Sequence, residues 1–179
     1  MQPPIELSLA GIDDLDAILH TIRVGFDTYT EFAPAGWTPR SRPDDRERTA
    51  DLLTAPDTWA TMALVEGDPV GHVGFVPARE RAIGDPHGDL RARPVMPGVA
   101  HLWQLFVLPD WWGTGVAATL HAAAVDEMAA QGYERSRLYT PAAHTRACRF
   151  YERRGWELVG RGTDPALGLE LADYRLELS

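Results

Sequence analysis

Val107-Leu108-Pro109-Asp110-Trp111-Trp112-Gly113-Thr114-Gly115-Val116-Ala117 is the stretch on which the reading of this chain turns. An apolar run, residues 102–108, stops at Pro109. Two close glycines follow, and an alanine-rich amphipathic segment then runs to Gly132. The order predicts strand, glycine loop, helix. Such a turn sets the unpaired backbone N–H groups of a helix start beside the end of a strand, which suits a phosphate or pyrophosphate.

Outward from that stretch, apolar and polar residues alternate over 5–9 and predict a first strand. Leu15, Ile18, Leu19, Ile22 and Phe26 recur at helical spacing, and Asp44 is placed to cap a second short helix ending before Pro56. Residues 59–65 and 70–76 flank Glu66-Gly67-Asp68-Pro69 and read as an antiparallel hairpin. Residues 77–98, with Arg79, Arg81, Arg91 and Arg93, read as a long connection. After the strand at 100–108 comes a helix with Val116, Leu120, Ala123, Ala124 and Met128 on or near one stripe. Residues 135–140 predict a strand, Thr140-Pro141 the start of a helix closed by Gly155, and 156–161 and 169–178 two last strands. One mixed sheet with helices on its faces follows, parallel where the glycine helix crosses over.

The chain has 179 residues, which favours one domain over 1–179. Its formal charge of −9 argues against a nucleic-acid partner, and short dispersed apolar runs argue against a membrane span. An acidic surface also means that an anionic cofactor must be held by local backbone dipoles. A lone cysteine, Cys148, and an N-terminus without a signal-peptide pattern point to the cytoplasm. The six histidines lack metal-ligand spacing, so no metal site is expected.

The glycine loop also satisfies a dinucleotide fingerprint, Gly113-Thr114-Gly115-Val116-Ala117-Ala118. That reading requires an acidic residue at the end of the next strand, where this chain has Thr140. Only 64 residues follow Gly115, too few for a dinucleotide domain. Downstream, His144, Ala147, Cys148 and Tyr151 share a stripe of one helix, and the run Phe150-Tyr151-Glu152-Arg153-Arg154-Gly155-Trp156 closes it.

With both motifs in hand, the chain resembles the GNAT superfamily of acyl-CoA-dependent N-acyltransferases. Trp112-Gly113-Thr114-Gly115-Val116-Ala117 matches that family's Arg/Gln-Gly-x-Gly-x-Gly/Ala loop except at Trp112. Residues 144–156 match Asn-x-x-Ala-x-x-Phe/Leu-Tyr-x-x-x-Gly-Phe/Trp except at His144. The resemblance implies a single α/β domain. Its mixed, mostly antiparallel sheet would have about six to seven strands, splayed in the middle, with about four helices around it.

The resemblance further implies acetyl-CoA or another acyl-CoA as cofactor, a primary amine as acceptor, and both held together in a ternary complex. Trp112, Gly113, Thr114, Gly115, Val116 and Ala117 would face the pyrophosphate. Leu105, Phe106 and Val107 would run beside the pantetheine arm, the Leu105 amide pointing at the thioester carbonyl. Tyr151 would protonate the departing thiolate, or else pack its ring and bond the cofactor with Phe150 beside it; a phenol near 10 is able to protonate a thiolate whose thiol titrates near 8.5. His101 stands where many members carry a basic glutamate, and a water chain is the alternative. Gln104 would face away from His101, since their separation is odd.

His144 would bond the cofactor or pack on the helix surface, and Cys148 would be a small buried residue. Residues 29–37, with Phe32 and Trp37, would border the acceptor, while Trp59 and Trp103 read as core. A homodimer is compatible with the family. A non-catalytic acyl-CoA-binding or sensing module is the competing function, motivated by Trp112, His144 and the missing strand glutamate.

Overall fold

Seven strands build a mixed sheet in the order β1-β2-β3-β4-β5-β7-β6 in this computed structural model, which describes residues 3–39, 45–81 and 92–178. They are β1 (Ile5–Leu9), β2 (Trp59–Val65), β3 (Asp68–Arg79), β4 (Val95–Val107), β5 (Arg135–Pro141), β6 (Glu157–Asp164) and β7 (Leu169–Glu177). Four α-helices join them: α1 (Leu15–Asp27), α2 (Asp45–Thr54), α3 (Val116–Ala130) and α4 (Thr145–Glu152). Only the β4–β5 pair is parallel among the pairings described, as the α3 crossover requires. That ladder runs from Val99↔Arg135 to His101↔Arg137, after which β5 continues to Pro141 with β7 as its described partner. Among the described residues no helix is long and apolar enough to cross a membrane.

The chain forms two compact units. The first comprises Met1–Thr28, Ser41–Val76 and Leu102–Glu127; the second comprises Tyr29–Arg40, Pro77–His101 and Met128–Ser179. In the first unit β2 and β3 meet through a two-residue turn. Glu66 (φ 53°) and Gly67 (φ 88°) are both left-handed, the geometry that matches strand twist, so the turn is tighter than the four residues expected. α1 buries Leu15, Ile18, Thr21 and Gly25, so Thr21 and Gly25 take places that the periodicity gave to Leu19, Ile22 and Phe26. Trp59 stacks on Phe75 with centroids 5.2 Å apart and is half-buried, at the margin of the core rather than within it.

Three expectations are corrected. The connection predicted over 77–98 is largely strand: β3 runs on to Arg79, β4 begins at Val95, and the Glu80 amide donates to Pro94 O at 2.9 Å. Backbone pairing held these residues although their side chains carry no alternating pattern. Pro141 does not open a helix but ends β5 opposite Leu171, and α4 starts at Thr145. Proline fits there because it lacks only the donor that a missing neighbour would have used. β6 begins after Trp156 and extends to Asp164. The Asp44 cap and Arg91 lie outside the described residues.

Candidate active site

In the first unit β4 passes directly into the glycine loop. Leu108 N–H donates to Val70 O at 2.9 Å, and Pro109 opens one 3-10 turn, Pro109–Trp111, where its fixed φ fits. The Trp112 indole N–H reaches back to Val107 O at 2.8 Å. Tryptophan at this motif position therefore ties the loop to the strand end. Gly113 (φ 78°) and Gly115 (φ 95°) are both left-handed, while a Cβ at either would meet nothing within 4 Å. Glycine is required here by dihedral angle, not by crowding.

The Gly115 carbonyl accepts the Thr119 amide at 3.0 Å, which starts α3. The amides of Gly113, Gly115, Val116, Ala117 and Ala118 donate to no acceptor among the described residues. A helix start leaves its first amides unpaired in this way. Thr114 is held by its own hydroxyl on Trp111 O at 2.6 Å. Val116, Leu120, Ala124 and Met128 are fully buried and anchor the helix behind the loop; Ala123 is only half-buried. The result is a row of donors at the positive end of a helix dipole, facing open space, which suits a diphosphate.

Strand alternation sends neighbouring β4 side chains to opposite faces. Phe106 lies on Gly25 and tilts against Phe26 at 5.4 Å, whereas Val107 and the Phe106 carbonyl face Gly71. Gln104 bonds the buried His72 (Nε2···Oε1 2.8 Å), whose Nδ1 meets Thr21 Oγ1 at 2.6 Å. Burial lowers the His72 pKa to about 4, so the ring is neutral at physiological pH. Trp103 lies against Gly74 and is half-buried.

In the second unit α4 carries the other motif. The Gly155 φ of 83° closes the helix as expected, and the Trp156 and Arg154 amides return to Tyr151 O. Tyr151 is 6% exposed, edge-on to Trp156 (5.7 Å) and Phe150 (5.3 Å), and burial raises its pKa above the ordinary phenol value. Phe150 is capped by the Arg154 guanidinium, 3.7 Å above its ring. His144 takes the N-cap place without a side-chain cap bond. Its ring stacks on Phe32 at 4.8 Å and meets Tyr29 edge-on at 5.8 Å. Burial first, then Arg146, lowers its pKa to about 4. Trp37 joins the same group through Tyr29 (6.2 Å), its indole N–H held by Leu167 O at 2.7 Å. The aromatic residues expected near an acceptor thus gather around His144. Cys148 has its thiol on the carbonyls of Pro141 and Ala142 (3.8 Å each), and burial raises its pKa, the opposite of an activated nucleophile.

His101 also belongs to the second unit, facing Tyr139 at 5.5 Å. Its Nδ1 is buried without a hydrogen-bond partner. Burial, then the guanidiniums of Arg137 and Arg81, lower its pKa to about 3. Sequence reasoning missed Arg137, Tyr139, Asp164 and Arg175. The alternation Arg135-Ser136-Arg137-Leu138-Tyr139 was the available signal, since it puts Arg137 and Tyr139 on one face and buried Ser136 and Leu138 on the other.

The family model described as "Acetyltransferase (GNAT) family" matches residues 23–156. No curated protein matches the sequence. Among solved structures, the chain is similar to the paia N-acetyltransferase of Thermoplasma acidophilum in complex with coenzyme A. The TM-score is 0.71 at 17% identity, over 97% of this chain and 99% of that one. It is also similar to the ribosomal-protein-S18-alanine N-acetyltransferase of Escherichia coli, with TM-score 0.68, 17% identity, and 98% and 95% of the two chains covered. A third similar structure is yncA, a putative acetyltransferase of Salmonella typhimurium with its cofactor acetyl-CoA, with TM-score 0.69, 16% identity, and 98% and 94% covered.

Proposed function

The chain belongs to the GNAT acetyltransferase family, and on that premise we propose that residues 1–179 form one catalytic domain for N-acyl transfer. It moves an acetyl or other short acyl group from acyl-CoA to a primary amine, with both reactants bound at once. The observation that carries this reading is the row of undonated amides at Gly113 and 115–118, directly after β4. When bound, the acyl-CoA supplies an activated thioester. The loop amides of Gly113, Gly115, Val116 and Ala117 hold its diphosphate without relying on a basic side chain, while the Trp112 and Thr114 amides are spent on Pro109 O and Trp111 O. This fits a protein with net charge −9, whose overall field repels anions.

Leu105, Phe106 and Val107 line the pantetheine arm, and the Leu105 amide, assigned by its position, faces the thioester oxygen. A preorganised donor of that kind contributes a few kcal/mol to the rate. Tyr151 holds a proton for the departing sulfur; burial raises its pKa, which keeps the phenol protonated but makes it a weaker acid than a free tyrosine. Phe150 and His144 complete the second motif, His144 by packing with Phe32 beside the acceptor. The amine's proton leaves through water. A matched base has a pKa near the working pH, and His101, at about 3, falls well short of that. His101 contributes as a neutral imidazole on the acceptor side. A cytoplasmic location, a homodimer, and the absence of nucleic-acid and membrane partners complete the proposal.

The test is release of free thiol from acetyl-CoA with a panel of primary amines. Amine-dependent release supports the assignment. Saturable acetyl-CoA binding with no release across the panel would turn the reading towards a sensor module.

A further inference from the structure

In the first unit, β4 turns its backbone groups alternately to its two edges. The Phe106 carbonyl faces Gly71 of β3, and the Leu108 amide donates to Val70 O of the same strand. Between them the Val107 carbonyl points the other way and accepts the Trp112 indole N–H. Alternation then sends the Leu105 N–H to the edge away from β3. The residues on either side of Leu105 are both tied to α1. Phe106 packs on Gly25 so closely that a β-carbon there would lie 2.2 Å from its ring. Gln104 is tied through a buried chain: its Oε1 lies 2.8 Å from His72 Nε2, and His72 Nδ1 lies 2.6 Å from Thr21 Oγ1. Thr21 and Gly25 are four residues apart in α1, so both tethers reach one face of the helix.

The chain has one proton order. A carboxamide oxygen only accepts, so His72 carries its proton on Nε2. The ring is neutral, which leaves Nδ1 bare to accept the Thr21 hydroxyl. Thr21 Oγ1 also lies 2.9 Å from Ile18 O, and the shorter contact takes its single proton. Thr21 and His72 are 3% and 1% exposed, where an apolar pair would have filled the core without any bonding requirement. We propose that Thr21, His72 and Gln104 are positioning residues for acyl transfer, fixing the peptide between Gln104 and Leu105 so that its N–H is aimed at the thioester oxygen. This rests on the acyl-transfer reading above and deepens it. A donor speeds the reaction only when it is oriented beforehand. Held on both sides by one helix, this peptide cannot turn without losing the ring contact or the hydrogen-bonded chain.

The experiment follows the carbonyl stretch of acetyl-CoA, labelled with carbon-13 at the thioester carbonyl, by infrared spectroscopy in complex with the protein alone. Binding to the unmodified protein should lower the carbonyl frequency. Gln104→Met and Thr21→Val should each give back at least half of that shift, and Thr21→Ser, which keeps the hydroxyl, should restore it. Acetyl-CoA affinity should stay within twofold throughout, because the diphosphate loop is untouched. With an amine that is turned over, single-turnover transfer should fall at least fivefold in Gln104→Met and Thr21→Val. No shift in the unmodified protein, or a shift that survives in both variants, overturns the proposal.

A second measurement depends neither on catalysis nor on the folding of a variant. Ring nitrogen resonances of His72 in the unmodified protein at neutral pH should report a proton on Nε2. A proton on Nδ1 instead would break the bond to Gln104 Oε1 and overturn the proposal. An infrared shift that the variants abolish, with no amine turned over, would leave the positioning role standing and sink the acyl-transfer reading.

Discussion

Gly25 of α1 and Phe106 of β4 are in such close contact that a β-carbon on Gly25 would lie 2.2 Å from Phe106 Cδ1 and 2.5 Å from Cε1. The ring fills the space that the missing side chain leaves. The backbone of the strand proposed to flank the pantetheine arm is therefore set by a glycine on a helix. Gly25→Ala should cost about 1–3 kcal/mol through overpacking, read as a lower unfolding midpoint in denaturant. Adding Phe106→Leu should recover part of that loss, because the two changes share one contact. Strict additivity of the two losses would show that the contact does not limit the packing.

The glycine loop makes a different prediction, because nothing crowds Gly113 or Gly115. Gly113→Ala and Gly115→Ala should each strain a left-handed backbone by roughly 1–2 kcal/mol. The strain relaxes by turning loop amides away from the diphosphate. Calorimetric titration with acetyl-CoA should show affinity down about tenfold in each variant. Native affinity in both would dissociate these amides from cofactor binding.

Tyr151→Phe removes one oxygen from a residue already packed against Phe150, Trp156 and Tyr174. Turnover should fall at least tenfold, with acetyl-CoA affinity within about twofold of the original. Unchanged turnover would reduce Tyr151 to a packing residue.

Acid should weaken this fold through its histidines. His72 and His144 move from 6.5 to about 4 and His101 from 6.5 to about 3, so each binds its proton less tightly folded than unfolded. Their contribution is complete above pH 6.5 and drains away as pH falls through that window. For His72, at 1% exposure, the loss amounts to roughly 3 kcal/mol by pH 4. Unfolding free energy measured from pH 7.5 to 4 should follow that slope, and His72→Gln should flatten it. An identical slope in the variant would place the acid sensitivity elsewhere.

Trp37→Phe keeps the ring beside Tyr29 but removes the indole donor from Leu167 O. The loss should cost about 1 kcal/mol and raise the acceptor KM with little change for acetyl-CoA. Equal effects on both constants would detach Trp37 from the acceptor side.

Much of this protein is written in short-range chemistry that a single sequence displays. Gly113, Gly115, Gly155 and Gly67 all occupy left-handed positions that only glycine takes cheaply, so the loop, the end of α4 and the hairpin were legible from their neighbours. The α3 stripe was legible for the same reason, since a helical turn relates residues no more than four apart. The site motifs around Gly113 and Tyr151 are local as well, and so the family resemblance could be read before any coordinates.

Tertiary structure decided whatever depends on partners distant in the chain. Thr140-Pro141 looked like a helix start, yet pairing with β7 drew Pro141 into a strand, because ladder bonds outweigh a weak capping preference. The stacking of His144 on Phe32, the fit of Phe106 onto Gly25, and the gathering of Arg137 and His101 at the last rung of the parallel ladder leave no local trace. Local dihedral preferences act over a few residues, whereas burial and strand pairing are settled only when distant segments compete for the same space.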